Sequence, residues 1–334
     1  AALKNVGYVV ASPGIALDSP LLAEAKARNL PVVGDIELFS RAVALAGTPV
    51  IAITGSNGKS TVTTWVGDVL TAAGYNVKVG GNIGIPALDL LPTAGEPAVD
   101  VYVLELSSFQ LDTTQSLAAS VATVLNVSPD HMDRYDSLAH YTSSKATIFG
   151  SDPKTIAVVN ADDLSVADMA VPGKSLRFAG ERRADVDYAL DKHLGETWLM
   201  RRGGPLLPVS ELHVPGRHNQ LNALAVVALI DALPLGVADD VLKQALREFG
   251  GLPHRTEWVS KAFGMQWFND SKATNVGATL AALAGMPGPL WLLAGGEGKG
   301  QEFSALKAGL SARVKGVVVY GRDAALIADA LAGD

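Results

Sequence analysis

Apolar residues along this chain gather in short dense runs, each ending in a polar, glycine-containing loop. "TPVIAITGSNGKS" (48–60) is one such run, and a helical spacing of apolar positions follows over Ser60–Ala73. "VDVYVLELS" (Val99–Ser107), "VATVLNV" (Val121–Val127) and "TIAVVN" (Thr155–Asn160) repeat the theme. Runs rich in Val, Leu and Ile, separated by helical patterns, predict a mostly parallel sheet covered on both faces. "ETWLMRRGGPLLPVSEL" (Glu196–Leu212) differs: two short strands about a Gly-Gly turn predict an antiparallel edge. A long Ala/Leu-rich helix is expected near Asn219–Leu233.

The first 46 residues predict strand Gly7–Ala11, helix Pro20–Arg28 and strand Pro31–Val33, one parallel unit too small to bury a core alone. "FGGLPHR" (Phe249–Arg255) breaks the pattern with glycine and proline. After it, "MQWFNDSKATN", "PLWLLAGGEGKG" and "KGVVVYGRDAA" each read as a strand ending in a loop. The expected organisation is α/β: a phosphate-loop-type central sheet over 47–251, flanked by partial Rossmann-like units at 1–46 and 252–334. Both ends read as cut, so the chain is expected to be a piece of a longer protein.

Composition narrows the function. With 334 residues, 48% of them hydrophobic, the chain can build two or three cores. No run of about 18 apolar residues would span a membrane, and no secretory leader opens the sequence. The absence of cysteine excludes disulfides and thiolate metal sites and fits a reducing cytoplasm. A net charge of −7 argues against nucleic acid as a partner. Anionic ligands must then be held by a few local cations and backbone N–H groups.

The phosphate-loop pattern G-x-x-x-x-G-K-[ST] is nearly present, with Gly58, Lys59 and Ser60 closing it but Ile53 where the opening glycine belongs. Lys59 can reach phosphates and the Ser60 hydroxyl can bind Mg2+; the plainer alternative is a strand-to-helix turn with a solvated lysine. Glu105 ends its apolar run where a lone charge is costly, so a cation partner or a second Mg2+ contact is expected; a surface carboxylate is the alternative. His131 in "NVSPDHMDRY" and Lys145 in "YTSSKATIF" would, taken singly, be a structural histidine and a solvated lysine. "FNDSKATN" offers Asp270, Lys272, Thr274 and Asn275, and "LAGGEGKG" offers Lys299, cations suited to an acidic substrate.

The shortened loop, "LELSS", "DHMDRY", "GRHNQLNALA", "GLPHR" and "NDSKATN" stand in the order found in the Mur ligases, ATP-dependent amide ligases of bacterial cell-wall precursors. The chain resembles that family over essentially its whole length. The family commonly uses the shorter loop, so Ile53 is no defect. "GGNIGIPAL", "VLELSSFQL" and "NDSKATNVGAT" look most like members that add D-glutamate to UDP-N-acetylmuramoyl-L-alanine. The resemblance implies that ATP phosphorylates a carboxylate and that an amine then attacks the acyl phosphate. It implies ATP contacts at Gly55, Ser56, Asn57, Gly58, Lys59, Ser60, Thr61, Asn219, Asn222, Arg255 and Asp270. Two Mg2+ ions are implied, one on Ser60 and Glu105, the other on His131 and a Lys145 carbamylated by CO2. Ser12, Asn82, Ser107 and Gln110 match positions facing the UDP-substrate; Lys272, Thr274 and Lys299 match the D-glutamate pocket. The family's glycine-rich uridine loop and the serine and aromatic residue of its D-glutamate pocket have no match here. A cytoplasmic monomer without a membrane span is expected. The alternatives are another superfamily member such as folylpolyglutamate synthetase, a catalytically incomplete ATP-binding fragment, or a phosphate-loop kinase.

Overall fold

A computed structural model of the chain describes residues 3–286, 288–298, 300–310 and 313–332. The chain opens with β1 (Val9–Val10), α1 (Pro20–Ala27), β2 (Val32–Val33) and α2 (Asp35–Ala46). β1 and β2 pair in parallel, Val9 opposite Val32, as the pattern predicts. α2 is not part of that small unit. Its Ile36, Phe39 and Val43 are buried in one cluster with Val50, Tyr102 and Leu104 of the central sheet. Glu37 fastens it there, its carboxylate accepting from the Gln115 and Ser116 amides at 2.7 and 2.8 Å and from the Ser116 hydroxyl at 2.9 Å. Burial pushes the Glu37 pKa up, but these bonds and the one from Arg41 outweigh it, and the net shift is down. α2 is thus held against the central sheet.

The central layer runs β3 (Val50–Thr54), α3 (Lys59–Ala72), β4 (Val77–Gly81), β5 (Val101–Glu105), α4 (Ser108–Leu111), β6 (Val121–Val124) and α5 (Leu138–Ala146). It continues through β7 (Ile156–Asn160), α6 (Leu164–Ala167), β8 (Ser175–Ala179), β9 (Tyr188–His193), β10 (Glu196–Arg201), β11 (Gly204–Pro208), α7 (Arg217–Ala232) and α8 (Asp239–Glu248). Nine strands form one sheet in the order β11-β10-β9-β8-β7-β6-β3-β5-β4. All pairings from β4 to β9 are parallel, and β10 and β11 add an antiparallel edge. Every residue of β3 is buried. Ile53 lies opposite Glu105 on one side and Thr123 on the other. It is a core strand residue, which is why no glycine is needed there.

Separate apolar clusters cover the two sheet faces. The larger is centred on Trp65 of α3, fully buried and stacked on Phe249 with centroids 4.4 Å apart. Its indole N–H donates to the Ala245 carbonyl at 3.3 Å. The last third holds β12 (Glu257–Ala262), β13 (Met265–Asn269), α9 (Val276–Gly285), β14 (Leu290–Gly295), α10 (Ser304–Gly309), β15 (Val314–Tyr320) and α11 (Ala324–Leu331). β14 and β15 are parallel, in line with the pattern. β13, however, pairs antiparallel with β12, a hairpin that the sequence does not announce. No helix among the described residues is long and apolar enough to cross a membrane.

Trp65 ties α3, and with it the start of the phosphate loop's helix, to α8. Trp65→Ala should lower unfolding stability by about 3–5 kcal/mol, read from denaturant melts. A loss below about 1 kcal/mol would show that this cluster does not hold the loop's helix in place.

Candidate active site

The loop after β3 is shaped by close approach. Gly58 has φ +82°, and a Cβ there would lie 2.7 Å from the Asn222 Oδ1, so glycine is required by conformation and by space. Asn57 is held at both backbone groups by Asn126, which accepts from its N–H at 2.8 Å and donates to its carbonyl at 3.0 Å. The Ser56 hydroxyl donates to the Ser128 carbonyl at 3.0 Å and accepts from the Ser128 N–H at 2.9 Å. The loop is thus stitched to the segment after β6, whose "NVSPD" carries those partners.

Two ammonium groups meet at one carbonyl. Lys59 Nζ donates to the Gly55 oxygen at 2.8 Å and to the Ser56 oxygen at 3.1 Å. Lys145 Nζ donates to the same Gly55 oxygen at 3.1 Å. Lys145 is 1% exposed and lies 4.4 Å above the Tyr141 ring, whose hydroxyl is 3.2 Å from Ser56 Oγ. Burial lowers the Lys59 pKa, with Glu105 and Asp130 opposing. Burial, and then the charge of Lys59, push the Lys145 pKa well below 10.5.

Glu105 is 2% exposed at the end of β5. Its Oε1 accepts from Asn82 Nδ2 at 2.7 Å, while its Oε2 is buried with no hydrogen-bond partner among the described residues. Arg255 Nη2 donates to the Ser60 hydroxyl at 2.7 Å, and burial lowers its pKa against the pull of Glu105 and Asp270. His131 follows Asp130 in the left-handed region, φ +55°, uncommon for a non-glycine residue. Its Nε2 lies 3.7 Å from Asp130 Oδ2, and its ring meets Phe109 edge-on at 4.9 Å. Among the described residues no group of three or more His, Asp or Glu gathers as a metal cluster.

Beside the loop lies a cavity of about 360 Å³ lined by Asn57, Gly58, Thr61, Asn219, Asn222, Arg255, Asp270 and Lys272. Of the residues expected for the nucleotide, Asn57, Gly58, Thr61, Asn219, Asn222, Arg255 and Asp270 thus come together, while Gly55, Ser56, Lys59 and Ser60 do not line the cavity; Lys272, expected for the amino acid, joins it. Asn219 Nδ2 donates to the Pro215 carbonyl at 2.7 Å, and Asn222 Nδ2 to Asn219 Oδ1 at 3.2 Å. Asp270 accepts from the Thr256 N–H at 2.8 Å; burial raises its pKa although that bond opposes the shift. Ser12 and Thr274 are exposed, and neither lines this cavity. Gln110 is buried, its carboxamide spent on the Ser107 N–H at 3.1 Å and on Asp35 at 3.0 Å. It fastens α4 to α2. Lys299 lies outside the described residues.

Pattern analysis passed over Asn126, Asp130 and Tyr141. Tyr141 had a signal, since it stands four residues before Lys145 on one helix face.

The chain matches the Mur ligase middle domain over residues 53–230 and the Mur ligase glutamate ligase domain over 254–334. The chain belongs to the Mur ligase family. It is 51% identical to UDP-N-acetylmuramoylalanine–D-glutamate ligase of Methylobacillus flagellatus, across 99% of this chain and 72% of the relative. Identity to the enzyme of that name from Nitrosococcus oceani is 48%, with the same coverage. Among solved structures, E. coli FolC in complex with ADP shares the fold, with a TM-score of 0.66 at 21% identity, covering 95% of this chain and 88% of that one. Thermotoga maritima MurC gives 0.62 at 22%, covering 97% and 74%. In this Mur ligase, then, the shortened loop and the paired lysines belong to the family's middle domain.

A lysine whose folded pKa is depressed binds its proton more weakly folded than unfolded. It subtracts stability at low pH, and that penalty fades as pH rises from the folded pKa toward 10.5. Lys145→Met should therefore make the ligand-free protein more stable than wild type at pH 7, by at least about 1 kcal/mol. The gap should close as pH approaches the ordinary lysine value. Melts in CO2-stripped buffer across that range check it; a variant less stable at every pH would refute the burial penalty.

Proposed function

We propose that this chain is an ATP-dependent amide ligase that adds D-glutamate to UDP-N-acetylmuramoyl-L-alanine through an acyl phosphate, in the cytoplasm. The observation that carries the substrate assignment is the level of identity to the D-glutamate ligases over nearly the full chain. The geometry supports the reaction class. Lys59, Arg255 and the N–H groups of the loop form a cationic cradle that suits a triphosphate. Asn219, Asn222 and Asp270 line the cavity beside it and would hold the base and ribose. Lys272, on the same cavity, would meet the incoming amino acid's carboxylate, and Thr274 and Lys299 are proposed for the same task. Ser12, Asn82, Ser107 and Gln110 would face the UDP-substrate.

In the reaction, a substrate carboxylate oxygen attacks the γ-phosphorus and ADP leaves. The amine then attacks the acyl carbon and phosphate departs with its oxygen, leaving the amide. Lys59 would track the phosphoryl charge through the first step. Water must be kept from the acyl phosphate, and Tyr141, Lys145 and Glu105, all buried, would form a floor that helps do so.

The donor set fits Mg2+: hard oxygen atoms, one of them the partnerless Oε2 of Glu105, with the Ser60 hydroxyl close to Arg255. Bound there, Mg2+ supplies charge neutralisation across the phosphates. Ser60 and Glu105 would hold one ion, and His131 with Lys145 a second.

Lys145 suits that task only if its charge is reversed. Its depressed pKa leaves a population of neutral amine. The nitrogen lone pair can then attack CO2 and the nitrogen release one proton to solvent, giving a carbamate whose single negative charge is shared by two oxygens. Lys59, on the same carbonyl, would turn from a repelling neighbour into a partner.

Phosphate release from ATP–Mg2+ should require D-glutamate and UDP-N-acetylmuramoyl-L-alanine together. Equal rates with L-lysine, diaminopimelate or a folate substituted would overturn the substrate assignment. Lys59→Ala should abolish turnover while keeping the fold. Lys145→Ala should be folded and nearly inactive, with partial recovery in buffer containing a short carboxylic acid; normal turnover in Lys145→Ala would defeat the carbamate.

A further inference from the structure

Asn275 is buried although it sits in a polar loop, and its carboxamide does two jobs at once. As N-cap of α9 its Oδ1 accepts from the Ala278 N–H at 2.8 Å. A backbone N–H can only donate, so that bond fixes which end of the amide is oxygen. The Nδ2 end therefore faces the central layer. It donates to Asn57 Oδ1 at 3.2 Å and to Asp130 Oδ2 at 3.4 Å, and Asn57 Nδ2 returns a bond to Asn275 Oδ1 at 3.5 Å. Asn57 and Asn275 are 218 residues apart. The first turn of α9 is pressed against the same segment, since a Cβ on Gly277 would lie 3.1 Å from Ser128 Oγ.

We propose that Asn275 is a positioning residue, a latch through which docking of the C-terminal unit sets the geometry of the phosphate loop. The cap makes the amide rigid with α9. The second set of bonds makes Asn57 rigid with Asn275, and Asn126 passes that order to the loop backbone. Moving α9 away removes two donors from the loop and from Asp130, beside His131. Loop order and unit docking therefore rise and fall together. The idea rests on the loop being the nucleotide site.

Asn275→Ser is the test variant. Serine keeps an N-cap oxygen for Ala278 but has no N–H2 to reach Asn57 or Asp130. The chain lacks cysteine, so Glu181→Cys and Asp329→Cys on the exposed surface allow paired spin labels across the two units. In the serine variant the inter-label distance distribution of the ligand-free protein should broaden. Affinity for a fluorescent ADP analogue should fall about tenfold, with the melting midpoint nearly unchanged. Asn57→Ala should cost a similar factor, and the double variant should lose little more than either single one. Unchanged distances together with affinity within about twofold of the parent, or fully additive losses, would overturn the latch. If the parent itself fails to bind the analogue, the nucleotide assignment fails; the label distances still decide the latch.

Discussion

Two ammonium groups, Lys59 and Lys145, share the carbonyl oxygen of Gly55. Water reaches Lys145 hardly at all, and the charge of Lys59 disfavours its own, while burial and then Arg255 and Lys272 disfavour the charge of Lys59. Such an arrangement is poor for stability and useful for chemistry. In the proposed ligase, phosphate oxygens would resolve it for Lys59. For Lys145 the proposed resolution is loss of the proton, after which the free amine would be a nucleophile. The rest of the site follows from this: Glu105 and Asp130 stand near enough to oppose both shifts, and Arg255 adds a third cation over Ser60.

That cluster is tolerated because the scaffold around it is rigid. β3 is buried along its whole length, and α3 is pinned through Trp65 to α8. The loop backbone between them is bonded at Asn57 and Ser56 to the strand end of β6. The loop is thus held in one shape before a ligand arrives, which is how a fixed polar site stabilises developing charge. The C-terminal unit contributes Arg255, Asp270, Lys272 and Asn275, so the complete constellation exists only when that unit is docked.

Much of this was legible in the chain. Buried parallel strands are continuous apolar runs, and β5, β6 and β7 were found within two or three residues at each end, with β3 in its place before the glycine-bearing loop. Glu105 drew notice because a charge after such a run needs a reason. What stayed hidden depends on tertiary contact. α2 has a helix's pattern, but its attachment to the central sheet lies in Glu37 meeting amides nearly eighty residues away. Gln110 stands as a substrate contact on the family resemblance alone, and its bond to Asp35 is invisible in sequence. The hairpin of β12 and β13 has no tight Asn-Gly turn to announce it, only Phe263 and Gly264 with positive φ. Asn275 was noticed as one polar residue among four, without a role.

The central claim is that Lys145 is the cation that must give up its charge for the ligase to work. Carbon-13 NMR of the protein equilibrated with 13C-bicarbonate tests it directly. A single slowly exchanging carbamate resonance should appear in the wild type and be missing from Lys145→Met. No such resonance in an active wild type, or one that persists in the variant, would contradict the account.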